Sequence, residues 1–205
     1  MQGKHGLIFF DFDGVIADSF ALSFETSLKV RPGTSEEEYR SAFEGNIYEW
    51  VRKIAHRASA NIDFMTEYER EMHRIDFFEV ENVIPELAVR YLLTIVSSTK
   101  TSFIQHFLER EKLSHCFSDI LGADVHESKH QKIQDLLAKY SVAPEKSIMI
   151  TDTTGDIREA RMAGVDSIGV SWGFHSTDTL AKAEPVVIVS EPSELPQVVA
   201  KYFSR

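Results

Sequence analysis

A chain of 205 residues and 23.3 kDa, 43% hydrophobic, 11% aromatic and 26% charged, has the composition of one globular domain or a core with a modest insert. Disorder and low complexity are excluded over most of its length. Thirty-two acids against twenty-two bases give a formal charge of −10, which repels phosphate backbones and anionic lipid, so nucleic acid and membrane are set aside as partners. The single cysteine, Cys116, can form neither an internal disulfide nor a zinc or iron–sulfur cluster and suits a reducing cytoplasm, and no apolar run approaches the roughly 20 residues that cross a bilayer.

In chain order, the apolar run 6–10 stops at Asp11-Phe-Asp-Gly14 and predicts a buried strand ending in a polar loop. Residues 17–78 read as all helix. Phe20, Phe24 and Leu28 recur at helical spacing, Arg31-Pro32-Gly33 breaks that helix, and Thr34-Ser35 with Glu37 and Glu38 offer capping boxes for the next. Ile47, Trp50, Val51, Ile54 and Ala55 mark one helix face, and Tyr68, Met72 and Ile75 another. Strand and helix then alternate: 91–96 extended, 103–108 helical, 118–121 extended, 129–140 helical, 147–151 extended. A helix near 156–163 closed by Gly164, strands at 167–171 and 186–189, and a last helix from Ser193 follow. This pattern predicts an α/β fold with a doubly wound parallel sheet. The core is expected at 1–16 and 79–205, with 17–78 as a helical cap over the sheet's carboxyl edge, a candidate lid.

That edge gathers the chemistry. Asp11 and Asp13 follow the first strand, Ser97, Ser98 and Thr99 the second, Asp152 and Asp156 the strand 147–151, and Lys129 opens a helix. Converging carboxylates repel one another, and the usual remedy is a hard divalent cation, Mg²⁺ above others because it takes few protein ligands and keeps waters. A carboxylate can also serve as nucleophile in phosphoryl transfer. Asp11 suits that role at a rigid strand end, and Asp13 could protonate a leaving alkoxide and then activate water. Charge on the transferring group would be met by Mg²⁺, Lys129, Ser97 and backbone N–H groups.

These motifs resemble those of the haloacid dehalogenase superfamily. Asp11-Phe-Asp-Gly-Val-Ile-Ala-Asp18 is similar to its first motif, Ser97 to its second, Lys129 to its third and Ile148-Met-Ile-Thr-Asp152-Thr-Thr-Gly-Asp156 to its fourth. The helical stretch is similar to a small C1-type cap on a Rossmann-like core, and Ile168-Gly-Val-Ser-Trp-Gly-Phe174 resembles the phosphoglycolate-phosphatase-like branch. The resemblance implies Asp11 as nucleophile and Mg²⁺ ligand, Asp13 as acid and base with its backbone carbonyl on the metal, and Asp152 as a further ligand. Asp156 would serve the metal site or anchor Lys129. An acid at position 13 implies a phosphatase or phosphomutase rather than a dehalogenase. In place of the proline many relatives carry after the lysine, Lys129 precedes His130; Lys132 one turn on is a rival for its role, as Ser98 is for Ser97.

The turn Phe43-Glu44-Gly45-Asn46 is a candidate to reach the substrate, Trp50 reads as helix core, and Arg52, Lys53 and Arg57 read as a solvated face. His126-Glu-Ser-Lys-His130 spells a zinc-protease signature, but its flanks read as strand and loop and no third-ligand extension follows. The expected function is Mg²⁺-dependent hydrolysis of a small phosphorylated metabolite. The rivals are a β-phosphoglucomutase-like transferase using the same residues and a catalytically inactive phosphate-binding protein of the same fold; intact Asp11 and Asp13 speak against the second.

Overall fold

The computed structural model describes residues 4–58 and 62–204. The chain enters through β1 (Leu7–Phe10), reaches β2 (Ala17–Asp18), and passes through α1 (Phe20–Val30), α2 (Glu36–Ser41), α3 (Ile47–Lys53) and α4 (Phe64–Glu71) before β3 (Asp76–Phe77). It continues through α5 (Val83–Arg90), β4 (Leu92–Val96), α6 (Thr101–Arg110), β5 (Phe117–Leu121), α7 (Lys129–Tyr140) and β6 (Ser147–Thr151). It closes with α8 (Thr154–Met162), β7 (Asp166–Val170), α9 (Thr177–Ala181), β8 (Val187–Val189) and α10 (Leu195–Phe203).

Six strands form one sheet in the order β5-β4-β1-β6-β7-β8, every pairing parallel. The unbroken apolar run of β1 follows from burial on both faces. Ile8 and Phe10 join the core with Leu87, Phe103, Ile104 and Val199 from α5, α6 and α10, while Leu7 and Phe9 join the opposite one with Ile133, Leu136 and Ala160 from α7 and α8. All four β1 residues are fully buried, each worth about 1.5–3 kcal/mol relative to exposure.

The doubly wound sheet matches the expectation from sequence, and the helical stretch needs a correction at its ends. Residues 17–78 are not all helix: β2 and β3 pair antiparallel, Ala17 opposite Phe77 and Asp18 opposite Asp76, where the chain leaves β1 and returns. Between them, α2 and α4 start on side-chain caps, Ser35 accepting from Glu38 N at 3.1 Å and Asp63 from Thr66 N at 2.8 Å. No helix among the described residues is long and apolar enough to cross a membrane.

β1 is flanked by β4 and β6, so the winding reverses across it and a crevice opens at the carboxyl ends of these three strands. Phe10 pairs with Ile95 and Ile150, which brings Asp11, Ser97 and Asp152 to one edge from three separate stretches of chain.

Candidate active site

Asp11 is the first residue past β1. Its N–H donates to Ile150 O at 2.9 Å, which extends the ladder by one step, and its residue is 4% exposed. Oδ1 accepts from Phe12 N at 2.7 Å and lies 2.8 Å from Lys129 Nζ. The same ammonium lies 2.6 Å from Asp156 Oδ2, which also accepts from Thr151 Oγ1 at 2.9 Å. Lys129 thus bridges acids from two strand ends. Glu159 fixes its starting point on α7 by accepting from Lys129 N at 3.0 Å and from Ser128 Oγ at 3.1 Å.

Lys132, one turn on, does a different job. It is fully buried, and Nζ donates to Ser97 O at 2.5 Å and Gly122 O at 3.1 Å, which ties α7 to the loops after β4 and β5.

Asp13 faces the inserted helices. Its Oδ1 accepts from the Tyr68 hydroxyl of α4 at 2.6 Å and its Oδ2 from Thr99 Oγ1 at 2.7 Å. Gly14 next to it holds φ at +74°, a left-handed conformation glycine adopts without a steric penalty, and a side chain there would collide with the Asp152 carboxylate. Asp152 is fully buried; Oδ2 accepts from Phe174 N at 2.6 Å, and Oδ1 is buried with no hydrogen-bond partner.

The three buried acids hold their protons unequally. Burial raises the Asp11 carboxyl well above its usual range, opposed by Lys129 and reinforced by Asp156 and Asp152. Burial also pushes Asp152 up to about 7 against the Phe174 N–H, with Asp156 adding to the rise. For Asp156 burial works in the same direction, but the ammonium of Lys129 outweighs it and the carboxyl stays below the usual range. Lys129 itself resists burial through Asp11 and Asp156, which keep it firmly protonated.

A hard cation fits these residues. An orphaned, buried carboxylate oxygen on Asp152 interacts with other acids, the situation a divalent ion relieves. Among the described residues no three His, Cys, Asp or Glu side chains are grouped as a ready-made cage. The resemblance implies two carboxylates and a main-chain oxygen as donors, within the few protein ligands Mg²⁺ accepts. Asp156 is committed to Lys129 and Thr151.

Above these groups lies a cavity of about 510 Å³. Asp11, Asp13, Lys129 and Asp156 line it, together with Ser98 and Thr99, while Phe43, Gly45, Asn46, Tyr48 and Trp50 come from the inserted helices. Ser97 is fully buried and is not on the wall; its Oγ accepts from Thr99 N at 2.9 Å, which leaves its own proton available. Of the turn 43–46, Phe43, Gly45 and Asn46 reach the cavity, whereas the Glu44 carbonyl takes Arg158. This turn is seated on α8: a Cβ on Gly155 would fall 2.4 Å from Gly45 O, and Asn46 Nδ2 donates to Glu159 Oε1 at 3.1 Å.

Two sequence readings change here. Trp50 stands on the cavity wall as well as edge-on to Tyr39, and Arg57 is half-buried and paired with Glu38 rather than part of a solvated face. Arg52 is solvent-exposed as expected and pairs there with Glu127 at 2.7 Å. His126 precedes α7, where its Nδ1 accepts from Ser128 N at 2.9 Å, so His126 and His130 do not share a helix. The groups that sequence reasoning missed are Tyr68, Glu159 and the Phe174 N–H; Thr99 was placed at the sheet edge, but not its bond to Asp13. Tyr68 carried only the signal of a buried helix position.

The model of the haloacid dehalogenase-like hydrolase family matches residues 8–170. A phosphoglycolate phosphatase of Vibrio cholerae serotype O1 is 26% identical, over 94% of this chain and 96% of that protein. Among solved structures, a haloacid dehalogenase-like family protein from Streptococcus pneumoniae superposes with a TM-score of 0.76 at 23% identity, covering 97% of this chain and 100% of that one. CbbY from Rhodobacter sphaeroides, in complex with phosphate, has a TM-score of 0.73 at 20% identity over 93% of this chain and 96% of its own. On the family match, with a fold shared along nearly the whole length, the chain is an enzyme of the haloacid dehalogenase-like hydrolase family.

Proposed function

We propose that this hydrolase is a phosphatase that cleaves a small phosphate monoester in two steps through an aspartyl phosphate on Asp11. The carboxylate of Asp11 attacks phosphorus as the bond to the alcohol oxygen breaks, and Asp13 gives that oxygen its proton. Asp13 then takes a proton from water, which attacks the same phosphorus, releases inorganic phosphate and restores Asp11. Lys129 balances the charge of the phosphoryl oxygens, and Ser98, on the cavity wall, supplies a hydroxyl at the end of β4, with Ser97 buried behind it. A magnesium ion held by Asp11, Asp152 and the Asp13 carbonyl, with Asp156 at its edge, would screen the approach of an anionic nucleophile to an anionic ester.

In this reading residues 1–16 and 79–205 are the catalytic core, and residues 17–78 are a cap that excludes water and selects the alcohol. One observation carries it: Lys129 stands 2.8 Å from Asp11 and 2.6 Å from Asp156 beside a cavity that Asp13 also lines. The phosphoglycolate phosphatase of Vibrio cholerae gives independent support for ester hydrolysis.

Release of p-nitrophenol from its phosphate with Mg²⁺ tests the proposal. Asp11→Asn is expected to lose on the order of 10³ in turnover, about 4 kcal/mol of barrier. A variant that keeps its full rate refutes the nucleophile. Counting inorganic phosphate with water as sole acceptor, and then with a sugar phosphate added, separates hydrolysis from phosphoryl transfer.

A further inference from the structure

Arg31 ends α1, and its residue is 6% exposed. Among the described residues its guanidinium makes no ion pair and no hydrogen bond, and its Nε is fully buried without a partner. None of its neighbours neutralises it. The Trp50 ring centroid lies 5.9 Å from Cζ, the Tyr39 phenol is held neutral by burial, and Arg57 has the same sign and is already paired with Glu38. A buried cation without a partner is among the least favourable groups a fold can carry, so its retention asks for a ligand.

Arg31 lines the same cavity as Asp11 and Lys129, in a different part of it. The groups that act on its charge are Tyr39 and Arg57, whereas those acting on Lys129 are Asp11 and Asp156. The transferring phosphate already has a cation of its own in Lys129. Apolar side chains prevail in the cavity's lining, among them Val30, Ile47, Trp50, Val51, Phe64 and Met65. A planar guanidinium beside an indole face is a geometry that holds the fork ready for a carboxylate or phosphate.

We propose that Arg31 is a second anion site in this cavity, so that the substrate is a phosphate monoester whose mainly apolar organic part carries a second anionic group, carboxylate or phosphate. The word substrate rests on the phosphatase reading; the anion site does not. A cavity of about 510 Å³ falls within the range that takes up most of a drug-sized ligand.

Three probes test this by calorimetry in an Asp11→Asn background with Mg²⁺, where turnover is blocked: phenyl phosphate, 4-carboxyphenyl phosphate and 1,4-phenylene bisphosphate. With Arg31 present, at least one of the two doubly anionic probes is expected to bind about tenfold or more tightly than phenyl phosphate, and which one does tells carboxylate from phosphate. Arg31→Met should reduce the gap to less than about twofold, and Arg31→Lys should keep part of it. Equal affinities with Arg31 present, or a gap that survives Arg31→Met, would overturn the proposal. Should Arg31→Met fail to fold, Arg31→Gln carries the same comparison.

Turnover of the three esters by the enzyme with Asp11 intact reads the phosphatase separately. An Arg31-dependent gap without turnover would leave the anion site standing and overturn the phosphatase. Turnover without a gap would do the reverse.

Discussion

The hydroxyl of Tyr68 in α4 donates to Asp13 Oδ1 at 2.6 Å, which joins the inserted helices to the residue proposed to move protons. Thr99 holds the other oxygen at 2.7 Å, so the carboxylate is clamped between insert and core. Tyr68 is 2% exposed, and burial, with Asp13 beside it, raises its phenol well above the ordinary value and keeps it a donor. Tyr68→Phe is therefore expected to lower kcat several-fold, with about 1 kcal/mol lost from stability in urea. Kinetics indistinguishable from those of the unaltered enzyme would show that Asp13 needs no such clamp.

The two lysines of α7 should separate cleanly. Lys129→Met strands two buried acids, with a predicted loss of about 3–5 kcal/mol in stability and of nearly all turnover. Lys132→Met removes donors to two carbonyls and should act mainly on folding. Burial, and Lys129 behind it, lowers Lys132 from 10.5 to about 8. The unfolded chain then holds more protons than the folded one between these values, so the penalty for the buried ammonium is present below pH 8 and is relieved as pH rises through this window. Urea unfolding at pH 7 and 9.5 should show the enzyme gaining on Lys132→Met at the higher pH; a constant difference contradicts the burial argument.

Mg²⁺ should raise the melting temperature, equivalent to about 2.7 kcal/mol at a hundredfold excess over Kd. Asp152→Ala should abolish the shift. Because burial raises Asp152 to about 7, protons compete for the site, and the Mg²⁺-induced shift should shrink between pH 8 and pH 5. A shift that persists in Asp152→Ala would place the ion elsewhere.

Gly155 tests the seat of the turn 43–46. A methyl group there would meet Gly45 O at 2.4 Å and Phe43 O at 2.8 Å, so Gly155→Ala should lift the turn off α8. The expected result is a KM raised several-fold with kcat less affected, because the altered wall is the one proposed to receive the alcohol. Unchanged KM would mean that the turn adapts.

How much of this was legible in the sequence depended on the range of the signal. The apolar run before Asp11 and the alternation of strand and helix fixed the sheet edge, because burial on both faces leaves a continuous hydrophobic stretch. The sequence reading holds no helix at Val83–Arg90. Pro85 lies in its first turn, where a missing N–H costs no intrahelical bond. β2 and β3 have two residues each, too few for any periodicity. Periodicity marked Tyr68 as a buried helix position but said nothing about a hydroxyl meeting an acid 55 residues away. Arg31 looked like part of a helix break, and only the packing around it reveals a buried cation whose Nε has no partner among the described residues.

The most direct test is to quench the enzyme in acid during turnover of a radiolabelled phosphate monoester with Mg²⁺, and to map the labelled peptide. Label is expected on Asp11, released by hydroxylamine as is usual for an acyl phosphate and absent from Asp11→Asn. Label on another residue, or full turnover by Asp11→Asn, would contradict an aspartyl phosphate on Asp11.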